Sequence, residues 1–382
     1  MVRGIMNDTS IPHSNAPLYL DYNATAPLRP EVAAYLTEKM LSVGNPSSIH
    51  GFGRAVRKDV EAAREKIAKI VGANTVDVTF TSGATEANNT VIFGAPVTRV
   101  LCSAIEHPSV IDAVMRHPNH AIIPVLSNGI IDLSALETSL QQSNDKTLVS
   151  VMWVNNETGI IQPVREIAQL AKKYDALFHC DAVQAVGRVP VDMLDTGIDY
   201  LTFSAHKIGG PSGIGALVYG QHTALDKMIH GGGQERRRRA GTENVLGILG
   251  FGVAAECALR DLPLMDRVHD LRQKLEHAMR QAVPQLIIVG EHSPRVANTI
   301  QMIFPKVAAE KQLMALDLAG IAVSSGSACS SGSIKPSHVL LAMAIPEDLA
   351  RCAIRLSTGF GSTEQDIQTF LNVWVTISQR FI

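Results

Sequence analysis

Lys207 stands between an apolar run, Tyr200–Ser204 (YLTFS), and a glycine-rich loop that starts at Gly209. Burial lowers the pKa of an amine, and an unprotonated amine is the form that adds to a carbonyl to make an imine. Asp181 closes another apolar run, Ala176–Cys180 (ALFHC). A carboxylate there is costly unless it meets a cation or a strong donor, and a protonated ring nitrogen is such a partner. Ser82-Gly83-Ala84-Thr85-Glu86 follows the run Val76–Thr81 and opens a helical pattern. Free N–H groups and the positive end of a helix dipole suit a phosphate. His107 precedes Pro108 at a third such junction, and Asn155-Asn156-Glu157 follows Thr147–Trp153. Singly, each has an ordinary reading: a surface lysine, a carboxylate capping a turn, a β–α turn, a packed histidine, turn chemistry. Neither a Walker loop nor a G-x-G-x-x-G fingerprint is present. Taken in chain order, the phosphate cradle, histidine, carboxylate and lysine suit pyridoxal 5′-phosphate, whose ring acts as an electron sink when its nitrogen is held charged.

Cysteine supplies the other chemistry. Of the five, Cys102, Cys180, Cys257 and Cys352 lie in apolar runs or helical patterns and read as core, while Cys329 lies in the Gly/Ser segment SSGSACSSGS at 324–333. Such a composition makes a flexible tether, on which a thiol can reach a distant bound substrate. An incidental surface cysteine is the plain alternative. Nothing nearby in sequence lowers its pKa, so activation would come from the site it visits.

These residues need a scaffold. From about residue 76 short apolar runs (Val76–Thr81, Arg99–Ser103, Ala121–Val125, Thr147–Trp153, Ala176–Cys180, Tyr200–Ser204, Gly215–Tyr219) alternate with helical patterns at Thr85–Phe93, Pro108–Arg116, Leu133–Gln142 and Pro163–Tyr174. Runs that are apolar without alternation read as strands covered on both faces, and the βα alternation predicts a mainly parallel, doubly wound sheet. In such a sheet ligands bind beyond the carboxyl ends of the strands, where the residues above fall. After Gly241 the texture becomes α+β, with long helices near 244–259 and 266–282 and a turn at Asp261-Leu262-Pro263. The expected division is a large α/β domain at 28–262 and a small α+β domain made of 1–27 and 263–382.

With 382 residues, 46% hydrophobic and 18% charged, the chain is too apolar and too weakly charged for disorder. A net charge of −2 gives no global reason to bind nucleic acid or an anionic membrane. The cysteine spacing fits neither a disulfide scaffold nor a zinc site, so no metal is expected and a cytoplasmic setting is. The polar N-terminus lacks an apolar h-region, and no apolar stretch reaches membrane-spanning length. The basic run Arg236–Arg239 reads equally as a localisation patch or an interface loop.

The sequence resembles the cysteine desulfurases, pyridoxal-phosphate enzymes of aminotransferase class V, and within them the NifS/IscS group. The matching segments are LDYNATAP (20–27), GNPSSIHGFG (44–53), FTSGATEANN (80–89), EHPSV (106–110), NNETG (155–159), HCDAVQAVG (179–187), FSAHKIGGPSGIG (203–215), GGGQERRRRAGTENV (231–245), SSGSACSSGS (324–333) and IRLSTG (354–359). The resemblance implies a PLP-dependent transferase fold of type I, with a large seven-stranded, mainly parallel sheet flanked by helices.

The resemblance also implies roles. Lys207 would carry the cofactor covalently, Asp181 would pair with its ring nitrogen, and His107 would stack on the ring and assist proton transfer. Ala84, Thr85, Ser204 and His206 would hold its phosphate, with Thr242 reaching the phosphate of a neighbouring subunit in a homodimer. Gln184 would bond its phenolic oxygen. Asn156 and Arg355 would hold the carboxylate of L-cysteine, and Cys329 would take the sulfur as a persulfide. The implied product is L-alanine, and the persulfide passes to a sulfur-acceptor protein, such as an iron–sulfur scaffold or a tRNA-thiolation partner. Another class-V reaction, such as selenocysteine lysis, would keep Lys207 and Asp181 without needing Cys329; a non-catalytic sulfur-trafficking platform would need neither.

Overall fold

The computed structural model describes residues 17–220, 223–326 and 335–380. In chain order the strands are β1 (Leu18–Tyr19), β2 (Val78–Thr81), β3 (Arg99–Ser103), β4 (His120–Ile123), β5 (Thr147–Ser150), β6 (Leu177–Asp181), β7 (Tyr200–Ser204), β8 (Gly215–Tyr219), β9 (Ile287–Ile288), β10 (Thr299–Ile303), β11 (Ile321–Ala322) and β12 (Ala353–Ser357). Seven of them form one sheet in the order β2-β8-β7-β6-β5-β3-β4. The pairs among β3 to β7 and β4 are parallel, and β8 alone runs antiparallel to both its neighbours. The expected seven-stranded, mainly parallel sheet is therefore present.

Every residue of β5, β7 and β8 is buried, as their unalternating apolar sequences require of strands covered on both faces. The helices supplying that cover include Ala84–Gly94, Pro108–Val114, Leu133–Gln141, Val164–Lys173 and Val245–Arg260. Two further helices, Pro30–Lys39 and Gly51–Ile70, lie where no element was read from sequence. The second buries Val56, Val60, Ala63 and Ile67, a spacing of three and four that is itself a helix signal. One expected strand is shorter than read. β5 ends at Ser150 instead of Trp153 because the Met152 N–H is taken by the Glu106 carboxyl, at 2.9 Å, instead of by a strand neighbour.

Most of the described residues after Met265 pack around a second core, in which Leu20 joins Leu275, Met279, Ile300, Met302, Leu356, Phe370 and Trp374. Its sheet, β12-β10-β9, is antiparallel, and β1 pairs with β11 beside it. The final helix, Glu364–Ser378, starts on a capping box between Thr363 and Asp366. Among the described residues no helix is long and apolar enough to cross a membrane.

Candidate active site

The carboxyl ends of β2, β3, β5, β6 and β7 lie along one edge of the large sheet, and the residues singled out from the sequence follow them directly. Lys207 comes three residues after β7, in a single turn of 3-10 helix, Ala205–Lys207. Its Nζ donates to the carbonyls of Asn23 (2.5 Å) and Ala24 (2.8 Å). The segment 20–29 is laced to this loop: the Ala26 N–H donates to His206 O at 2.8 Å and Arg29 Nε donates to Ile208 O at 2.9 Å. Desolvation, helped by the Arg188 and Arg355 guanidiniums, pushes the Lys207 amine down to about 7. A lysine so placed has an appreciable unprotonated fraction at neutral pH, the requirement for imine chemistry.

Asp181 is buried at the end of β6. Its Oδ2 accepts from Asn88 Nδ2 at 2.9 Å, and its Oδ1 accepts from the Val183 N–H at 3.0 Å. Asn88 is oriented in turn by Thr202, whose hydroxyl donates to Asn88 Oδ1 at 2.5 Å. His107 caps the helix Pro108–Val114, its Nδ1 accepting from the Ser109 N–H at 3.1 Å. Desolvation, opposed by Asp181 and reinforced by Lys207 and His338, holds the ring below the ordinary histidine range. The neutral ring with Nδ1 as acceptor carries its proton on Nε2.

The turn after β2 delivers Ala84 and Thr85 to the first positions of the helix Ala84–Gly94, whose N-cap, Gly83, has nothing within 4 Å of where a Cβ would stand. Gly215, at the start of β8, is pressed against this turn: a Cβ there would lie 2.7 Å from both Gly83 C and Cα. Ser204 is buried with its hydroxyl donating to Ile214 O at 3.3 Å, and His206 Nδ1 lies 3.1 Å from Thr25 Oγ1. Burial and the neighbouring Lys207 and Arg188 charges push His206 down to about 4, so it is neutral near pH 7.

Arg355 lies on β12, buried, with Nη2 donating to Asp21 Oδ1 at 2.6 Å and Nη1 to Asn156 O at 2.9 Å, while its Nε has no partner among the described residues. Asn156 is thus at the same place as Arg355. Gln184 is buried, and its Nε2 donates to Asn23 O at 3.0 Å, the carbonyl that Lys207 also contacts. Thr242 is exposed and lines a surface cavity with Ser82, Gly213 and Asn244. Cys329 lies outside the described residues. The other four cysteines are buried, and burial pushes each thiol up, as expected of inert core sulfur.

Asp21, Asn23, Asn88, Glu106 and Arg188 belong to this site by position and were not singled out from the sequence. A buried polar residue such as Asn88 inside an otherwise apolar helix face was the available signal. The donor set fits pyridoxal phosphate: a desolvated amine, a buried carboxylate with a fixed orienting amide, and a small-residue helix start with open space at Gly83. Among the described residues no group of three or more His, Cys, Asp or Glu could hold a metal ion.

The family model for aminotransferase class V matches residues 18–370. A cysteine desulfurase IscS of Dictyoglomus turgidum is 41% identical over 383 residues, spanning 95% of each chain. A cysteine desulfurase of Enterobacter agglomerans is 42% identical over 361 residues, spanning 92% of this chain and 90% of that one. Among solved structures, a NifS-like protein from Rickettsia africae superposes with a TM-score of 0.88 at 37% identity, covering 95% of this chain and 99% of that one. The structure described as SspA in complex with cysteine gives a TM-score of 0.76 at 29% identity, covering 89% and 98%.

Proposed function

Because the chain belongs to the class-V aminotransferase family, we propose that it is a cysteine desulfurase, which moves the sulfur of L-cysteine onto Cys329 and releases L-alanine. The carrying observation is the desolvated Lys207 amine, pushed down to about 7, sharing the carboxyl edge of the large sheet with buried Asp181, with the Arg355 guanidinium acting on it from β12 of the smaller sheet. Pyridoxal 5′-phosphate would be held at Lys207 and would supply an electron sink for charge developing at the substrate Cα.

The protein's own groups do the rest. Arg355 and the Asn156 side chain hold the substrate carboxylate; guanidinium geometry suits a two-point grip. Asp181, its carboxylate fixed by Asn88, would hold the ring nitrogen charged, and neutral His107, with its proton on Nε2, would lie against the ring. Ala84, Thr85, Ser204 and His206 hold the phosphate, and Gln184 the phenolic oxygen. The Lys207 amine, when free, would take the proton from the substrate Cα and later return it there. The Cys329 thiolate attacks the substrate sulfur; the Cβ–S bond breaks with its electron pair left on Cβ, which is then protonated. L-Cysteine and the thiol become L-alanine and the Cys329 persulfide, and a sulfur-acceptor protein takes the terminal sulfur.

The working unit is a homodimer in which Thr242 of one copy completes the phosphate site of the other. The exposed Thr242 supports this, as do the exposed apolar side chains of Leu41, Val43, Ile49 and Phe52, unusual on a lone chain. The reading places residues 28–262 in a cofactor domain and 1–27 with 263–382 in a smaller one, in a cytoplasmic protein.

The test is a visible spectrum of the purified protein, followed by L-cysteine addition with alanine and sulfide measured. Wild type should show a cofactor band and yield alanine. Lys207→Ala should lose both, and Cys329→Ala should lose at least 100-fold in turnover while keeping the band. Undiminished sulfur release by Cys329→Ala would exclude the persulfide route and leave a reaction that needs only Lys207.

A further inference from the structure

Arg188 is a buried guanidinium with no acidic partner. It is 9% exposed, and among the described residues no carboxylate lies within ion-pair distance of it. An uncompensated buried charge is costly, so its retention calls for a cause. Burial and Arg355 push its pKa down to about 9, which still leaves it charged at neutral pH.

Its hydrogen bonds are specific. Nη1 donates to the backbone carbonyl of Gln184 at 2.9 Å and also to Gln184 Oε1. A guanidinium has no acceptor, so the amide must turn its oxygen towards Arg188. The NH2 of Gln184 then faces the other way, and one of its two hydrogens goes to the Asn23 carbonyl at 3.0 Å. That carbonyl also accepts from Lys207 Nζ. Arg188, Gln184, Asn23 and Lys207 thus form one chain of contacts, and Arg188 and Lys207 line a common cavity with Tyr22, Arg29 and Asn298.

We infer that Arg188 is a positioning residue: it fixes the Gln184 amide so that its NH2, not its oxygen, is offered to the cofactor, and it holds a like charge behind the Lys207 amine. The inference rests on Lys207 being the cofactor-bearing amine. The second hydrogen of Gln184 Nε2 is left for the phenolic oxygen, an acceptor that a flipped amide would repel. Six titratable or charged groups interact with Lys207. Arg188 and Arg355 disfavour its protonation, Asp21 and Asp181 favour it, and His107 and His206 lie within its field. Arg188 heads the charges that oppose protonation, second only to desolvation.

The experiment titrates the apoprotein with pyridoxal 5′-phosphate across pH, following the visible band, for wild type, Lys207→Ala, Arg188→Met and Arg188→Lys. If wild type forms no band that Lys207→Ala abolishes, the reading of Lys207 fails, whatever Arg188 does. With that band present, Arg188→Met should form it about fivefold more slowly at pH 7, since raising an amine from about 7 by one unit cuts its unprotonated share from half to about a tenth. The deficit should vanish above pH 9. Arg188→Lys keeps the charge and loses the planar fork, so it should keep the wild-type pH profile while its band shifts and its cofactor dissociates faster. A pH profile for Arg188→Met identical to wild type overturns the charge role. An unchanged spectrum and dissociation rate in Arg188→Lys overturns the positioning role, and this arm stands even if Arg188→Met does not fold.

Discussion

One residue before His107 sits a carboxyl group whose protonation is set by the fold. Glu106 is fully buried; its Oε1 accepts from Ser103 Oγ and the Met152 N–H, and its Oε2 has no partner among the described residues. Burial, with Asp181 adding to it, pushes the group up to about 8 from an ordinary 4.5. Between those two values the folded chain holds a proton that the unfolded chain has released. Stability contributed here is therefore present at low pH and lost as pH rises towards 8. Glu106→Gln keeps an oxygen for both donors and removes the titration. Its melting temperature should exceed wild type by about 2–4 °C at pH 8.5 and match it at pH 5. Calorimetry at the two pH values checks this, and a gap independent of pH would refute it.

Elements matter through close approach as much as through their ends. The antiparallel strand β8 enters the sheet beside the turn that starts the helix Ala84–Gly94, and glycine at 215 is what lets it do so. Gly215→Ala would place a methyl against the Gly83 backbone, which cannot swing aside as a side chain could. The cofactor should bind at least tenfold more weakly while the fold persists, read by equilibrium dialysis and circular dichroism. The sheet strands and the residues at their ends were legible in sequence because apolar runs of four to seven residues separated by helical patterns leave little choice of architecture. The helix Gly51–Ile70 was passed over although Val56, Val60, Ala63 and Ile67 carry its period, because charged residues fill the positions between. Asn88 and Arg188 escaped for another reason. Each works through a partner that the fold supplies, Asp181 across 93 positions in the first case, and a Gln184 amide whose facing no pattern encodes in the second. Asp21 likewise acquires meaning only when β12 brings Arg355 to it.

At the scale of the molecule, the site joins two cores. Lys207, Asp181 and His107 belong to the large sheet, Arg355 to the smaller one, and the segment 20–24 runs between them. The apolar side chains at Leu41, Val43, Ile49 and Phe52 are between 70% and 91% exposed, a surface that a second copy would cover. If the homodimer proposed above forms through this surface, Ile49→Asp should shift the protein to monomer in sedimentation experiments and, by withdrawing Thr242 from the neighbouring phosphate site, weaken cofactor retention about tenfold. A monomeric variant that holds its cofactor as tightly as wild type would break the link between the two.

The bridging segment also sets an order of events. Asn23 donates its N–H to Ser357 Oγ, 334 positions away, and Asp21 waits for Arg355. A ribosome makes Asp21 and Asn23 334 positions ahead of these partners. The growing polypeptide therefore has Lys207 long before it has Arg355, the residue proposed above to hold the substrate carboxylate. On the proposed assignment, sulfur chemistry would therefore wait for β12 to be made and paired.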